Sequence, residues 1–187
     1  MSKGDDKMKV CIYLAKGFEE IEALTVVDIL RRADIQVDMI SITGDLVVEG
    51  AHHIKVMADI LLEDVDYTNS EMNILPGGMP GTIHLEEHKE LEKIILDWNQ
   101  NKKYIGAICA APRILGKLNL LQGKKATCYP GFEKYLYGAE YVKESVVKSD
   151  HIITSRGPGT AMEFALELVR VLKGEKIAAD LKTQLIL

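Results

Sequence analysis

The residues best placed to do chemistry lie in the stretch 104–112, YIGAICAAP, where a short apolar run ends at Cys109. Ala107 and Ala111 stand two residues before and after the cysteine, and their small size suits the sharp strand-to-helix turn of a nucleophile elbow. Pro112 suits the first turn of the following helix, whose N-terminus would favour a thiolate at Cys109. Because most lone cysteines in apolar runs are core residues, a buried structural role is the alternative.

An elbow of this kind needs a parallel sheet behind it, and the hydrophobic pattern supplies one. Apolar runs of strand length alternate with stretches of helical periodicity, which predicts an α/β fold with a doubly wound, mostly parallel sheet sandwiched by helices. The predicted strands are 8–14, 35–42, 72–75, 104–108, 144–148 and 151–155, with a hairpin or edge excursion at 46–57 and a short run at 125–128. The predicted helices are 19–32, 86–100, 113–118, 158–172 and 177–186, with a short helical piece at 132–137.

The breaks after three of these strands carry residues suited to a ligand site. Gly17 follows the first strand, Gly77 and Gly78 follow the third, and Cys109 follows the strand at 104–108. Ligands of open α/β sheets bind beyond the carboxyl ends of the strands, so these breaks are expected to meet. The glycine pair is either a plain turn or a backbone that directs N–H groups at an oxygen beside the cysteine. In the second case the Gly78 and Ala110 amides are the candidate oxyanion-hole donors.

Composition and charge exclude several classes of function. The length of 187 residues suits a single domain, predicted at 8–187 after a disordered, polar lead-in at 1–7. The net charge of -5 argues against nucleic acid and anionic membranes as partners. No apolar run reaches the ~18 residues that would span a bilayer. The 3 cysteines do not suggest a disulfide framework, and no cysteine or histidine shows metal-ligand spacing. We therefore expect a cytoplasmic protein without a metal.

Four segments, taken together and in this order, resemble the ThiJ/PfpI superfamily. They are AKGFEEIE at 15–22, LPGG at 75–78, AICAAP at 107–112 and TSRGPGT at 154–160. The resemblance runs from about residue 8 to the C-terminus. More narrowly, the four segments resemble the branch of the Parkinson's-disease-linked redox sensor and deglycase. It implies a flavodoxin-like sandwich, as in class I glutamine amidotransferases, that usually forms a homodimer and carries a cysteine on the elbow.

The resemblance also assigns an acid to the cysteine. In the family a glutamate of the first helix approaches the elbow, and by motif position this residue is Glu22. A neutral carboxylic acid can donate a hydrogen bond to a thiolate if burial keeps it protonated. The alternative is a first-turn acid that only favours the helix dipole. Glu19, three residues earlier and on the same helix face, is the second candidate.

Two further positions carry site predictions, and both leave alternatives open. The resemblance places Arg156 near the pocket or the dimer interface, although its segment can equally be a plain helix start. Tyr129 stands before Pro130 where the related branch has a histidine, and Ala110 stands where peptidase-like branches have one. A tyrosine with a pKa near ~10 is a poor general base at neutral pH. Peptidase activity is therefore disfavoured, because a nucleophile for amide hydrolysis needs an activating base.

Two functions fit these residues. The first is an enzyme in which Cys109 attacks the aldehyde of an α-oxoaldehyde such as methylglyoxal, or of a glycated substrate, and Glu22 moves the proton. This chemistry requires no metal and no cofactor. The second is a redox-sensing or chaperone-like protein with an oxidisable cysteine and little turnover, since an exposed thiol of low pKa is also the one that oxidants attack.

Overall fold

A seven-stranded sheet forms the centre of the part of the chain that the computed structural model describes, residues 8–187. The predicted lead-in at 1–7 lies outside the described residues. The strands are β1 (Lys9–Leu14), β2 (Gln36–Ser41), β3 (Val47–Glu49), β4 (Lys55–Met57), β5 (Ile60–Leu61), β6 (Ser70–Leu75), β7 (Tyr104–Ile108), β8 (Lys125–Ala126), β9 (Glu140–Tyr141), β10 (Val146–Ser149) and β11 (Ile152–Ser155). The order in the large sheet is β10-β11-β7-β6-β1-β2-β5, and its neighbours are parallel except for β10 and β11.

Helices cover both faces of this sheet, as predicted. They are α1 (Glu20–Arg32), α2 (Gly81–Glu87), α3 (Lys89–Gln100), α4 (Pro112–Lys117), α5 (Ala161–Lys173) and α6 (Glu175–Gln184), with 3-10 turns at Leu62–Asp64, Glu133–Tyr135 and Pro158–Thr160. Alternate residues of β1 point into two separate cores. Val10 and Ile12 pack with α1 and α5 on one face, and Cys11 and Tyr13 pack with α3 and α4 on the other. A strand covered on both faces reads as a continuous apolar run, which is why its sequence shows no alternation.

One predicted helix is wrong in its extent. The stretch 86–100 is divided, because the chain leaves helical geometry at His88, where ψ is 105°. The His88 imidazole accepts a hydrogen bond from the Leu91 N–H and so caps α3. The preceding helix, α2, begins at Gly81, before the predicted start. The run at 125–128 also contains a shorter strand than predicted, Lys125–Ala126.

The topology brings three chain breaks to one edge of the sheet. β1 leads to β2 on one side, and β6 and β7 lie on the other side, so the connections diverge between β1 and β6. Ligands bind at such a switch point, beyond the carboxyl ends of the strands. The turns after β1, β6 and β7 all lie there. None of the helices within residues 8–187 is long and apolar enough to cross a membrane.

Candidate active site

Cys109 occupies the sharp turn between β7 and α4. Its φ of 64° lies in the left-handed region that few residues other than glycine adopt, so the side chain leaves the line of the strand. The Cys109 N–H donates to the Ser155 carbonyl at 2.9 Å, and the Tyr129 N–H donates to the Cys109 carbonyl at 2.9 Å. These bonds fix the strained turn from two other elements. The Cys109 side chain is half-buried, whereas Cys11 and Cys128 are fully buried, which makes Cys109 the accessible thiol of the three.

Glu22 brings a carboxyl group to this thiol from the first turn of α1. The residue is completely buried, and its Oε2 accepts a hydrogen bond from the Gly77 N–H at 2.8 Å. Among the described residues its Oε1 has no hydrogen-bond partner of normal geometry. The carboxyl group also interacts with the Cys109 thiol. Glu22 therefore has one oxygen anchored by the backbone and one available to carry a proton.

The turn after β6 closes the site against both side chains. A Cβ on Gly77 would lie 2.6 Å from Glu22 Oε2 and 2.7 Å from Cys109 Cβ, so a larger residue would displace one of them. The next N–H group, that of Gly78, interacts with the Cys109 thiol, and so does the Ala110 N–H. Two backbone donors that converge on the sulfur can also stabilise negative charge on an oxygen bonded next to it.

The thiol and the carboxyl group shift each other's ionisation. Burial is the main reason that the pKa of Glu22 rises to about 7, while contact with Cys109 and the Gly77 N–H opposes the rise. Burial, followed by the charge of Glu22, also raises the pKa of Cys109 above its usual value, against the lowering effect of the Ala110 and Gly78 N–H groups. The preference of the helix N-terminus for a thiolate stays a prediction: the Ala110 N–H group at that end lowers the pKa of Cys109, and burial raises it by more.

The raised pKa of Glu22 predicts a pH-dependent stability difference between the wild type and Glu22→Gln. The unfolded carboxyl has a pKa near 4.5 and the folded one about 7, so the folded state holds more protons between these values. This contribution to stability is fully present below the unfolded pKa and is lost as the pH rises through 7. The neutral glutamine lacks it. In EDTA, urea unfolding should show the variant gaining about 3 kcal/mol relative to the wild type between pH 4.5 and 8.

A neighbouring carboxyl supplies the control for this measurement. Burial raises the pKa of Glu20, but hydrogen bonds from His52 lower it overall. The stability change of Glu20→Gln with pH should therefore have the opposite sign to that of Glu22→Gln. Glu20→Gln should lose stability relative to the wild type as the pH rises from the folded pKa of Glu20 to its unfolded value of 4.5, and the difference should stay constant at higher pH. If the free energies of unfolding of the wild type and Glu22→Gln changed with pH in parallel, the burial of an uncharged Glu22 would be contradicted.

Tyr129 and Arg156 are placed differently from the Cys109–Glu22 pair. The Tyr129 ring and the Cys109 sulfur both border Gly157: a Cβ on this glycine would be 3.1 Å from the ring and 4.0 Å from Cys109 Sγ. Within residues 8–187, no hydrogen bond joins the Tyr129 hydroxyl to Cys109 or Glu22. The Arg156 charge acts on Cys128, whose pKa burial nevertheless raises to about 12. Its Nε is buried without a hydrogen-bond partner in the described chain.

Glu19, the second candidate for the acid, turns away from the thiol. Its Oε2 lies 3.6 Å from His52 Nδ1, and the same nitrogen lies 2.7 Å from Glu20 Oε2. These three side chains form a group that could hold a metal ion. The spacing rules for metal ligands did not find it, because His52 belongs to the β3–β4 turn, 32 residues after Glu20. Only the docking of that turn against α1 reveals the cluster.

Comparisons with known proteins agree with the resemblance seen in the sequence. The model of the DJ-1/PfpI family matches residues 8–171. Protein DJ-1 homolog B of Arabidopsis thaliana is 40% identical over 181 residues, which are 96% of this chain and 41% of that protein. A glutathione-independent glyoxalase of Caenorhabditis elegans is 36% identical over 167 residues, 88% of each protein. The chain therefore spans about two fifths of the Arabidopsis relative and most of the nematode one.

Solved structures support the same assignment. The structure described as Toxoplasma gondii DJ-1, oxidized, has a TM-score of 0.92 and 35% identity, and the match covers 96% of this chain and 98% of that chain. The flavodoxin-like α/β fold expected from the sequence is confirmed by this similarity and by the parallel sheet. From the family match over most of its length, the chain belongs to the DJ-1/PfpI family.

Proposed function

We propose that this protein is a cysteine-dependent, glutathione-independent glyoxalase that converts α-oxoaldehydes such as methylglyoxal into hydroxy acids. The observation that carries the proposal is the contact between a buried carboxyl group and the accessible thiol, with Oε1 of Glu22 unpartnered among the described residues. The similarity to a nematode protein named a glutathione-independent glyoxalase supports it. The same chemistry would act on glycated thiols and amines, a deglycase activity.

The reaction begins at the thiol and needs no external oxidant. The Cys109 sulfur bonds to the aldehyde carbon of methylglyoxal, and the thiol proton reaches the former carbonyl oxygen through Glu22, giving a hemithioacetal. The Gly78 and Ala110 N–H groups stabilise the oxyanion during this addition. Glu22 then removes the hydrogen from the aldehyde carbon as a proton and returns it to the neighbouring ketone carbon, while the hydroxyl proton of the hemithioacetal moves to the ketone oxygen through the enediol. The first carbon is thereby oxidised to a thioester and the second is reduced to an alcohol.

Water completes the cycle. It cleaves the thioester between the carbonyl carbon and the sulfur, which releases lactate and restores the thiol. The sum is methylglyoxal plus water giving lactate, with both redox changes inside the substrate. A group with a pKa of about 7 is well suited to accept and return protons at neutral pH. Tyr129, which borders Gly157 together with the Cys109 sulfur, stands where the related branch has a histidine, and a tyrosine is a poor general base at neutral pH.

Repeated turnover tests the proposal. Purified, metal-free protein is incubated with excess methylglyoxal in the absence of glutathione, and lactate is followed by NMR. Many equivalents of lactate per chain are expected. Consumption of methylglyoxal that stops at one equivalent per chain, with no lactate, would contradict catalysis by this site.

A redox sensor is the second candidate, favoured by the contrast in exposure among the three cysteines. Cys109 is half-buried and accessible, while Cys11 and Cys128 are fully buried. An oxidant would therefore meet Cys109 first. This function needs no turnover of methylglyoxal, so a sensor predicts no lactate, together with oxidation of Cys109 before Cys11 and Cys128 when mild peroxide treatment is followed by mass spectrometry.

A homodimer in the cytoplasm is the assembly and location that we propose. Apolar side chains remain exposed on the outer face of α1 and at the start of α5, namely Ile21, Leu24 and Met162. Ile21 and Met162 line a cavity of about 750 Å³ between α1, α5 and α6. A face of this kind is typical of a subunit interface. Three cysteines without disulfides favour a reducing compartment.

A further inference from the structure

The geometry points to a divalent-cation site formed by Glu19, Glu20 and His52, which would take a borderline ion such as Zn²⁺. One ligand atom from each residue falls within 4.8 Å of the other two. The site is separate from the chemistry proposed for Cys109 and Glu22. Its donor set, one imidazole nitrogen and two carboxylate oxygens, suits zinc and its neighbours better than Mg²⁺ or Ca²⁺.

The two carboxylates are unusual in being adjacent and buried. Glu19 is 8% exposed and Glu20 is 4% exposed, at the N-terminal end of α1. Placing two like charges side by side away from water is unfavourable unless positive charge lies between them. A protonated His52 supplies one positive charge, whereas a divalent ion bound by neutral His52 supplies two. The ion therefore balances the two carboxylates completely.

Glu19 provides an independent indication of a ligand. Its backbone N–H donates to the Gly77 carbonyl at 2.9 Å. Within residues 8–187, however, its carboxylate accepts no hydrogen bond, and its nearest partner is His52 Nδ1 at 3.6 Å. The Glu19 side chain is 11% exposed, and its contact with the imidazole is longer than a hydrogen bond, so the space between the two groups leaves room for a bridging cation.

The β3–β4 turn is held in place for this role by its backbone. The Ala51 N–H donates to the Phe18 carbonyl at 2.8 Å, and the His52 N–H donates to Glu20 Oε1 at 2.8 Å. A Cβ on Gly50 would lie 2.3 Å from Glu20 Oε1, so glycine is what allows the turn to approach the helix. The His52 side chain itself is 66% exposed, which lets the imidazole adjust and lets an ion enter from solvent.

The distances fit an ion that replaces a proton. Zinc ligands lie about 2.0–2.2 Å from the metal, which places neighbouring ligand atoms somewhat more than 3 Å apart. The 3.6 Å between His52 Nδ1 and Glu19 Oε2 already matches this spacing. The 2.7 Å between His52 Nδ1 and Glu20 Oε2 is a hydrogen bond, and it must open when the metal displaces the proton. Water would complete the coordination.

Zinc titration of matched histidine variants tests the site. Isothermal titration calorimetry with Zn²⁺ alone is run on EDTA-treated protein and on Cys109→Ser, which excludes binding by the accessible thiol. One equivalent per chain is expected in both. His52→Ala in the Cys109→Ser background should weaken binding at least about tenfold. His53→Ala is the matched control, because His53 is the next residue and pairs instead with Glu49 at 2.9 Å.

The outcomes distinguish this site from nonspecific binding of zinc at the protein surface. Unchanged zinc affinity in His53→Ala together with weaker zinc binding in His52→Ala supports the site. Weaker zinc binding in Glu19→Gln would show in addition that the Glu19 carboxylate is a ligand. An equal loss of zinc affinity in the two histidine variants would overturn the site, because it would indicate nonspecific binding of zinc by both surface histidines. Failure of either Cys109→Ser or wild type to bind one equivalent would also overturn it. None of these readouts depends on turnover, so the glyoxalase proposal stands or falls separately.

Discussion

Cys109→Ser should reduce lactate formation from methylglyoxal by about 10³-fold or more, because it removes the atom that bonds to the aldehyde. A serine hydroxyl at this position has no strong base to activate it: Glu22 has a pKa of about 7, and the nearby Tyr129 replaces a histidine. The strained turn at φ 64° is a property of the backbone, so the variant should keep its fold. Initial rates of lactate formation, with circular dichroism as a check of folding, measure this effect.

Cys11→Ala is the matched control for that experiment. Cys11 is a second unpaired cysteine that lies fully buried in β1, 3.7 Å from the Ser70 hydroxyl. Its loss costs packing but touches nothing at the elbow, so turnover by the folded protein should stay near the wild-type rate. Equal loss of activity in both variants would indicate that activity depends on the core and would contradict a thiol-specific mechanism.

Glu22→Gln should lower turnover by about 10²–10⁴-fold, the usual contribution of one general acid–base group. The glutamine keeps the size of the side chain and can still accept the Gly77 hydrogen bond that Glu22 Oε2 accepts at 2.8 Å. What it cannot do is take the thiol proton or move a proton between the two substrate carbons. Addition to the aldehyde should therefore persist slowly, and the hemithioacetal at Cys109 should accumulate while lactate does not.

Glu163→Gln controls for the loss of a first-turn carboxylate. Glu163 is an exposed acid in the first turn of α5, so its replacement changes charge and dipole without reaching the thiol. Turnover should be unchanged. If Glu22→Gln kept most of the activity while Cys109→Ser lost it, another group would have to carry the proton, and the role assigned to Glu22 would be wrong.

The elements that position the site were predictable because their signals are local. The helix predicted at 19–32 is observed at Glu20–Arg32, and the strand predicted at 104–108 is observed there. A buried strand followed by small residues and Pro112 indicates a turn without any knowledge of distant contacts. The start of helix α3 has no such local signal. Its N-cap is a histidine, His88, whose imidazole acts where serine, threonine, asparagine or aspartate is the usual signal.

The features that the sequence could not predict depend on contacts between distant segments. Helical spacing leaves Glu19 and Glu22 on one face, and contacts with distant residues distinguish them in the structure: Glu22 accepts from the Gly77 N–H, 55 residues away, whereas Glu19 lies 3.6 Å from His52. The ionisation of the site also depends on distant contacts, since burial and the nearby Glu22 raise the pKa of Cys109 against the lowering effect of the Ala110 and Gly78 N–H groups. The pairing of His52 with Glu20 depends on where a predicted hairpin docks.

Lactate formation from methylglyoxal, measured side by side for wild type, Cys109→Ser and Glu22→Gln without metal or glutathione, tests the central claim most directly. The claim is that one accessible thiol and one buried carboxyl group perform the reaction together. We predict multiple turnovers by the wild type and rates near background for both variants. A rate for Cys109→Ser equal to that of the wild type would contradict it.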